Sequence, residues 1–126
     1  MTAKSAGVIA VVEDDPHVLE ALGNLLKSAG YTVVAFNSAE ALLANCTIGD
    51  FDCLISDIGL PGMNGIDLQT EIGRKAPDLP VILITGRDDH LPQRAAIFNN
   101  RGLFRKPVDA EQLLDSLNAA TTATRR

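Results

Sequence analysis

The chain has 126 residues, about one folding unit at the ~150 residues typical of a domain, so a second folded domain has no room. With 46% hydrophobic and 21% charged residues, its composition is that of an ordinary globular protein and excludes intrinsic disorder. The formal charge of −5 is unevenly spread, with 4 Lys/Arg against 11 Asp/Glu over residues 1–86 and 7 against 5 over 87–126; the long basic stripe of a phosphate-tracking nucleic-acid binder is missing.

The first element is a β-branched apolar strand at 8–12, running into Glu13-Asp14-Asp15. Asp15 is placed to cap a helix whose first position is Pro16; Val18, Leu19, Leu22, Leu25 and Leu26 form its apolar stripe, and Gly30 ends it. A second strand is expected at 31–36, and Ser38 opens a second helix through Leu42 and Leu43. A third strand covers 53–56 and runs into Asp57, and a third helix spans 65–76, ahead of Pro77 and Pro80. The fourth strand, 81–84, meets Thr85-Gly86. Leu91, Ala95 and Phe98 mark a short fourth helical segment that Asn99-Asn100 and Arg101-Gly102 interrupt. A fifth strand at 103–105 leads to Lys106-Pro107. Asp109 and Gln112 then form a capping-box pattern ahead of a last helix with Ala110, Leu113, Leu114 and Leu117 on one face.

Strand and helix thus alternate five times, which predicts an α/β fold with a doubly wound parallel sheet. Four of the five strand runs are expected to be fully buried. The chain reads as a single domain over 1–126 with its core at about 7–119, and the polar tail 121–126 is expected to fray. No apolar run nears the ~20 residues needed to span a bilayer, and the N-terminus lacks a signal-peptide plan, so no membrane association and a cytoplasmic location are expected. Cys46 and Cys53 are too few for a disulfide framework and lack metal-ligand spacing, which gives each a structural role. The sequon Asn45-Cys46-Thr47 carries no weight without a secretory signal.

The unusual polar residues fall where the strands end. An open parallel sheet brings those ends to one rim, so Glu13, Asp14 and Asp15, Asp57, Thr85 and Lys106 should converge there. Asp15 is accounted for as a cap. Glu13, Asp14 and Asp57 together are not, because clustered carboxylates repel unless a cation compensates them. A hard divalent cation with oxygen ligands does this, and Mg2+ keeps waters that leave room for a phosphate. Asp57 is the candidate nucleophile for an acyl phosphate, with Lys106 supplying positive charge and Thr85 a hydrogen bond. Asp57-Ile58-Gly59-Leu60-Pro61-Gly62-Met63-Asn64-Gly65 supplies a turn between strand and helix. His17 and His90 read as solvated side chains.

Taken together, Val-Val-Glu-Asp-Asp, Asp-x-x-Leu-Pro-Gly-Met-Asn-Gly, Ile-Thr-Gly and Lys-Pro resemble the receiver domain of bacterial two-component response regulators over residues 7–119. Ser38-Ala39-Glu40-Ala41-Leu42-Leu43-Ala44 and Ile84-Thr85-Gly86 look most like receivers of the FixJ type. The resemblance implies a flavodoxin-like sheet with strand order 2-1-3-4-5. It also implies that Asp57 accepts a phosphoryl group from a sensor histidine kinase or phosphotransfer protein in a Mg2+-dependent reaction that switches binding to a downstream protein. On that basis Asp14, Asp57 and the carbonyl of Gly59 contact Mg2+, and Glu13 acts mainly through metal-bound water. Thr85 is the switch hydroxyl and Lys106 binds the phosphate through a segment with a cis Lys106-Pro107 bond. Such a chain is a signalling domain rather than an enzyme, a monomer or a phosphorylation-promoted dimer.

Three departures stand out. Leu103 occupies a position where the family usually carries an aromatic ring, with Phe104 turned to the opposite face, and is expected to sit in the apolar pocket under the fourth helix. Asn99-Asn100-Arg101 replaces the usual small residues. Relatives of this type usually continue into a DNA-binding domain. A receiver-like binding module that signals without phosphate is the alternative. A Mg2+-dependent phosphatase with an Asp nucleophile is remote, since its second Asp would fall at Gly59. Flavin binding is disfavoured by the carboxylates where a phosphate would sit.

Overall fold

A computed structural model describes residues 7–44, 48–86 and 100–124. The expected fourth helical segment, His90 and Cys46 lie outside the described residues. Five parallel strands, β1 (Val8–Val12), β2 (Thr32–Phe36), β3 (Cys53–Asp57), β4 (Val81–Thr85) and β5 (Asn100–Arg105), are ordered β2-β1-β3-β4-β5. Among the described residues the helices are α1 (Pro16–Ser28), α2 (Ala39–Leu43), α3 (Gly65–Lys75) and α4 (Ala110–Thr124), with a 3-10 turn at Ile48–Asp50.

Strand alternation divides the core into two layers. Ala10, Val12, Leu54, Val81 and Leu83 pack with Leu42 of α2 and with Leu68 and Ile72 of α3. On the other face, Ile9, Val11, Ile55, Ile82 and Ile84 pack with Leu22 and Leu26 of α1 and with Leu113 and Leu117 of α4. The doubly wound expectation is met because the three central strands have apolar side chains on both faces.

The local signals act as the sequence suggests. Asp15 Oδ1 accepts the His17 and Val18 amides at 2.9 and 3.4 Å, with Pro16 at the first helical position. Gly30, at φ 97°, turns the chain out of α1, and the Tyr31 amide reaches back to the Leu26 carbonyl. Ser38 Oγ caps α2 by accepting the Ala41 amide at 3.0 Å. Asn64 caps α3 through the Asp67 amide, and Asp109 caps α4 through the Gln112 amide.

Four expectations need correction. Only β1, β3 and β4 are nearly or wholly buried; β2 has only exposed and half-buried positions because it is an edge strand. At the other edge, Leu103 is 40% exposed rather than enclosed in an apolar pocket, whereas Phe104 does face the α1/α4 layer. The strand begins at Asn100, with a register irregularity opposite Val81/Ile82, since main-chain pairing with β4 needs no apolar side chain. Finally, the tail is helical to Thr124. Thr121 is buried and its hydroxyl donates to the Leu117 carbonyl at 3.0 Å, which satisfies a polar group within the helix's packed face.

Candidate functional site

The carboxyl ends of the five strands meet at one rim, where main-chain hydrogen bonds join β1 to β2, β3 to β4 and β4 to β5. The Glu13 amide donates to the Phe36 carbonyl, the Ile58 amide to Ile84, and the Lys106 amide to Thr85. The residues just past each strand are therefore fixed by sheet hydrogen bonding before their side chains act.

Asp57, the last residue of β3, is 5% exposed, and Glu13, just after β1, is 1% exposed. Asp14 is exposed. One carboxylate oxygen from each of the three lies within 4.8 Å of the others. Lys106 closes the group from the end of β5. Its Nζ is 2.9 Å from Glu13 Oε1 and 3.4 Å from Asp57 Oδ2. The remaining oxygens meet amides: the Gly59 N–H donates to Asp57 Oδ1 at 3.3 Å and the Asp15 N–H to Glu13 Oε2 at 3.1 Å.

Burial governs the electrostatics. Desolvation raises the Glu13 pKa, and the Asp57 charge adds to the rise, although Lys106 and the Asp15 amide oppose it. Burial alone would lower the Lys106 pKa, but contact with Glu13 and the Asp57 charge raise it overall, keeping the ammonium charged. Three carboxylates face one ammonium, so the site is short of positive charge. Glu13 Oε1 is buried and takes no hydrogen bond of regular geometry beyond its ion pair.

A divalent cation fits this donor set. All the donors are hard carboxylate oxygens close enough to share one small ion, and the buried Glu13 Oε1 has no hydrogen bond beyond its ion pair. Among the described residues no other such cluster of His, Cys, Asp and Glu is found.

Glu13, Asp14, Asp57 and Lys106 are thus brought together as expected from their strand-end positions. Thr85 is fully buried at the end of β4, one residue beyond Ile84, the register partner of Asp57; its hydroxyl donates to the Gly86 carbonyl at 3.1 Å. Gly59 reaches the site through its amide, and the Lys106-Pro107 bond is cis. Asp15 serves as the α1 cap. His17 lines a groove between α1 and the residues after β5 and stands apart from the acidic cluster. Cys53 is buried in the sheet, its thiol donating to the Leu54 carbonyl at 3.7 Å.

Of two further residues near the site, Gly65 is marked in the sequence as the point where the chain re-enters a helix, and Glu40 had no signal pointing to its part. Gly65 sits so close to the preceding strand that a Cβ there would lie 2.3 Å from the Asp57 carbonyl oxygen. Glu40 of α2 accepts the Met63 amide at 3.0 Å, and this bond lowers its pKa.

Comparison with known proteins agrees with this geometry. The family described as response regulator receiver domain matches residues 9–118. Nodulation protein W of Bradyrhizobium diazoefficiens is 38% identical over 125 residues, covering 98% of this chain and 55% of that protein. Response regulator protein TodT of Pseudomonas putida is 35% identical over 91% of this chain and 51% of its own length. The structure of response regulator StyR superposes with a TM-score of 0.86 at 32% identity, over 93% of this chain and 60% of that one. The chain spans about half the length of the curated relatives it matches.

Proposed function

The chain belongs to the response regulator receiver family, and from that premise we propose that it accepts a phosphoryl group on Asp57 and thereby changes what it binds. The observation carrying this reading is the placement of Asp57: a nearly buried carboxylate at the end of a central strand, bonded to the Gly59 amide and facing Lys106 Nζ at 3.4 Å.

Asp57 needs no base, because its carboxylate is already the nucleophile. One of its oxygens forms a bond to phosphorus while the phosphorus–nitrogen bond of a donor phosphohistidine breaks. The departing imidazole nitrogen takes back the electron pair, and because the ring's other nitrogen carries a proton, the group leaves as neutral imidazole. Lys106 remains protonated and balances the phosphoryl charge, and the Thr85 hydroxyl offers a hydrogen bond to a phosphoryl oxygen. Water later hydrolyses the acyl phosphate to restore the carboxylate and release inorganic phosphate. A bound Mg2+ would be held by Asp14, Asp57 and the Gly59 carbonyl, with Glu13 acting through water, and would neutralise charge between the carboxylates and the phosphoryl group.

The donor is a sensor histidine kinase or phosphotransfer protein, and the recipient of the signal is a downstream protein. We place the chain in the cytoplasm; no helix among the described residues is long and apolar enough to cross a membrane. We also read the receiver as one folding unit spanning the chain.

Incubation with acetyl phosphate and Mg2+, followed by intact-mass measurement, tests the reading. Wild type should gain one phosphoryl group and Asp57→Asn none. Equal labelling of both would place the chemistry elsewhere.

A further inference from the structure

The loop from β3 to α3 is anchored unevenly. Its inner half is fixed by the sheet and the core: the Ile58 amide donates to the Ile84 carbonyl, and Ile58 and Leu60 are each 5% exposed. At its far end the Gly65 amide donates to the Ile58 carbonyl and Asn64 caps α3. Pro61 and Gly62 between them are exposed. This stretch is met from outside by Glu40 of α2, whose Oε2 accepts the Met63 amide at 3.0 Å.

Two features of the sequence make room for that bond. Gly62 adopts φ 73°, the left-handed conformation favoured by glycine after proline in a turn. It also lacks the Cβ that would come within 2.8 Å of Glu40 Oε2. Ser38 caps α2, and the buried Ala39 and Leu42 seat it in the core, so Glu40 starts from a fixed backbone.

We propose that Glu40 is a positioning residue for the phosphoryl-accepting site: its carboxylate holds the turn at Pro61–Met63 so that Gly59, four residues before Met63, keeps its main chain set against Asp57. This inference rests on the function proposed above. Glu40 touches neither the carboxylate cluster nor the reacting atoms and acts only through the loop. Its effect should therefore fall on cation affinity, because a loosened loop must be ordered when the ion binds.

The test measures phosphorylation of the full chain by acetyl phosphate across a Mg2+ titration in wild type, Glu40→Ala and Glu40→Gln, together with hydrogen exchange of the Met63 amide. Glu40→Ala should raise the Mg2+ concentration for half-maximal labelling by about two- to tenfold, the equivalent of one net hydrogen bond. Its rate at saturating Mg2+ should approach that of wild type, and its Met63 amide should exchange faster. Glu40→Gln, which still offers a carbonyl oxygen, should restore most of the affinity. A merely destabilised variant would lose labelling at all Mg2+ concentrations. If wild type reacts and Glu40→Ala shares its Mg2+ dependence, the positioning role is overturned while the receiver reading stands. If wild type takes up no phosphoryl group, the receiver reading fails and the positioning role with it.

Discussion

Lys106 Nζ, at 2.9 Å from Glu13 and 3.4 Å from Asp57, is the structural partner of two buried acids before it is a ligand for anything else. Removing the ammonium leaves Glu13, 1% exposed, with its charge largely uncompensated. Lys106→Met should therefore destabilise the metal-free chain by about 1–3 kcal/mol, a range held down by the partial exposure of the lysine. Urea denaturation with and without Mg2+ checks this: the loss should shrink when a cation takes over part of the compensation. Asp57→Asn acts in the other direction. It removes one of three crowded negative charges while Glu13 keeps Lys106, so the metal-free protein should gain stability, on the order of 1 kcal/mol. A destabilised Asp57→Asn would mean that the bond to Lys106 outweighs the repulsion.

Among the elements, α3 contains two glycines with opposite demands. A Cβ at Gly65 would lie 2.3 Å from the Asp57 carbonyl oxygen and 2.8 Å from Ile58 Cα, whereas one at Gly73 meets nothing within 4 Å. Gly65→Ala must push the helix start away from β3 and should destabilise by about 2 kcal/mol or more while misplacing Asp57. Gly73→Ala, in the same helix, should stabilise by up to ~1 kcal/mol through helix propensity alone. Thermal denaturation of both variants decides the pair. The contact between α2 and the loop gives a pH signature. The Met63 amide holds the Glu40 pKa below its ordinary value of 4.5, so the stabilisation is present above that pH and lost as the pH falls through the lowered value. The melting-temperature advantage of wild type over Glu40→Gln should thus fade on acidification below 4.5. An advantage that grows in acid would rule out this carboxylate–amide bond.

These elements also mark what the residues reveal before folding. β1, β3 and β4 were legible because a strand buried on both faces must be apolar throughout, and the site was legible because a parallel sheet delivers Glu13, Asp14, Asp57 and Lys106 to one rim. The start of β5 was not: Asn100 pairs through its backbone, which leaves no pattern in side-chain type. The exposure of Leu103 depends on how an edge strand is covered. The Glu40–Met63 bond joins residues 23 positions apart, and no local spacing rule encodes it.

At the scale of the whole molecule, the acidic excess lies in the same part of the chain as most of the site, with 11 Asp/Glu against 4 Lys/Arg over residues 1–86. Any cation will therefore gather at this surface, and added salt alone will relieve some repulsion. Specific binding is separable from that screening by linkage. An ion that binds only the folded chain stabilises it by about 2.7 kcal/mol at a concentration one hundred times its Kd, which for a domain of this size corresponds to a rise in Tm of roughly 10 °C. Wild type should show such a rise in saturating Mg2+ over a NaCl control of equal ionic strength. Asp57→Asn, which replaces one buried carboxylate oxygen of the cluster, should show a clearly smaller rise. A melting curve that Mg2+ moves no further than matched NaCl would leave the three carboxylates without a shared ion. An equal rise in both proteins would place the bound cation elsewhere on the acidic surface, away from Asp57.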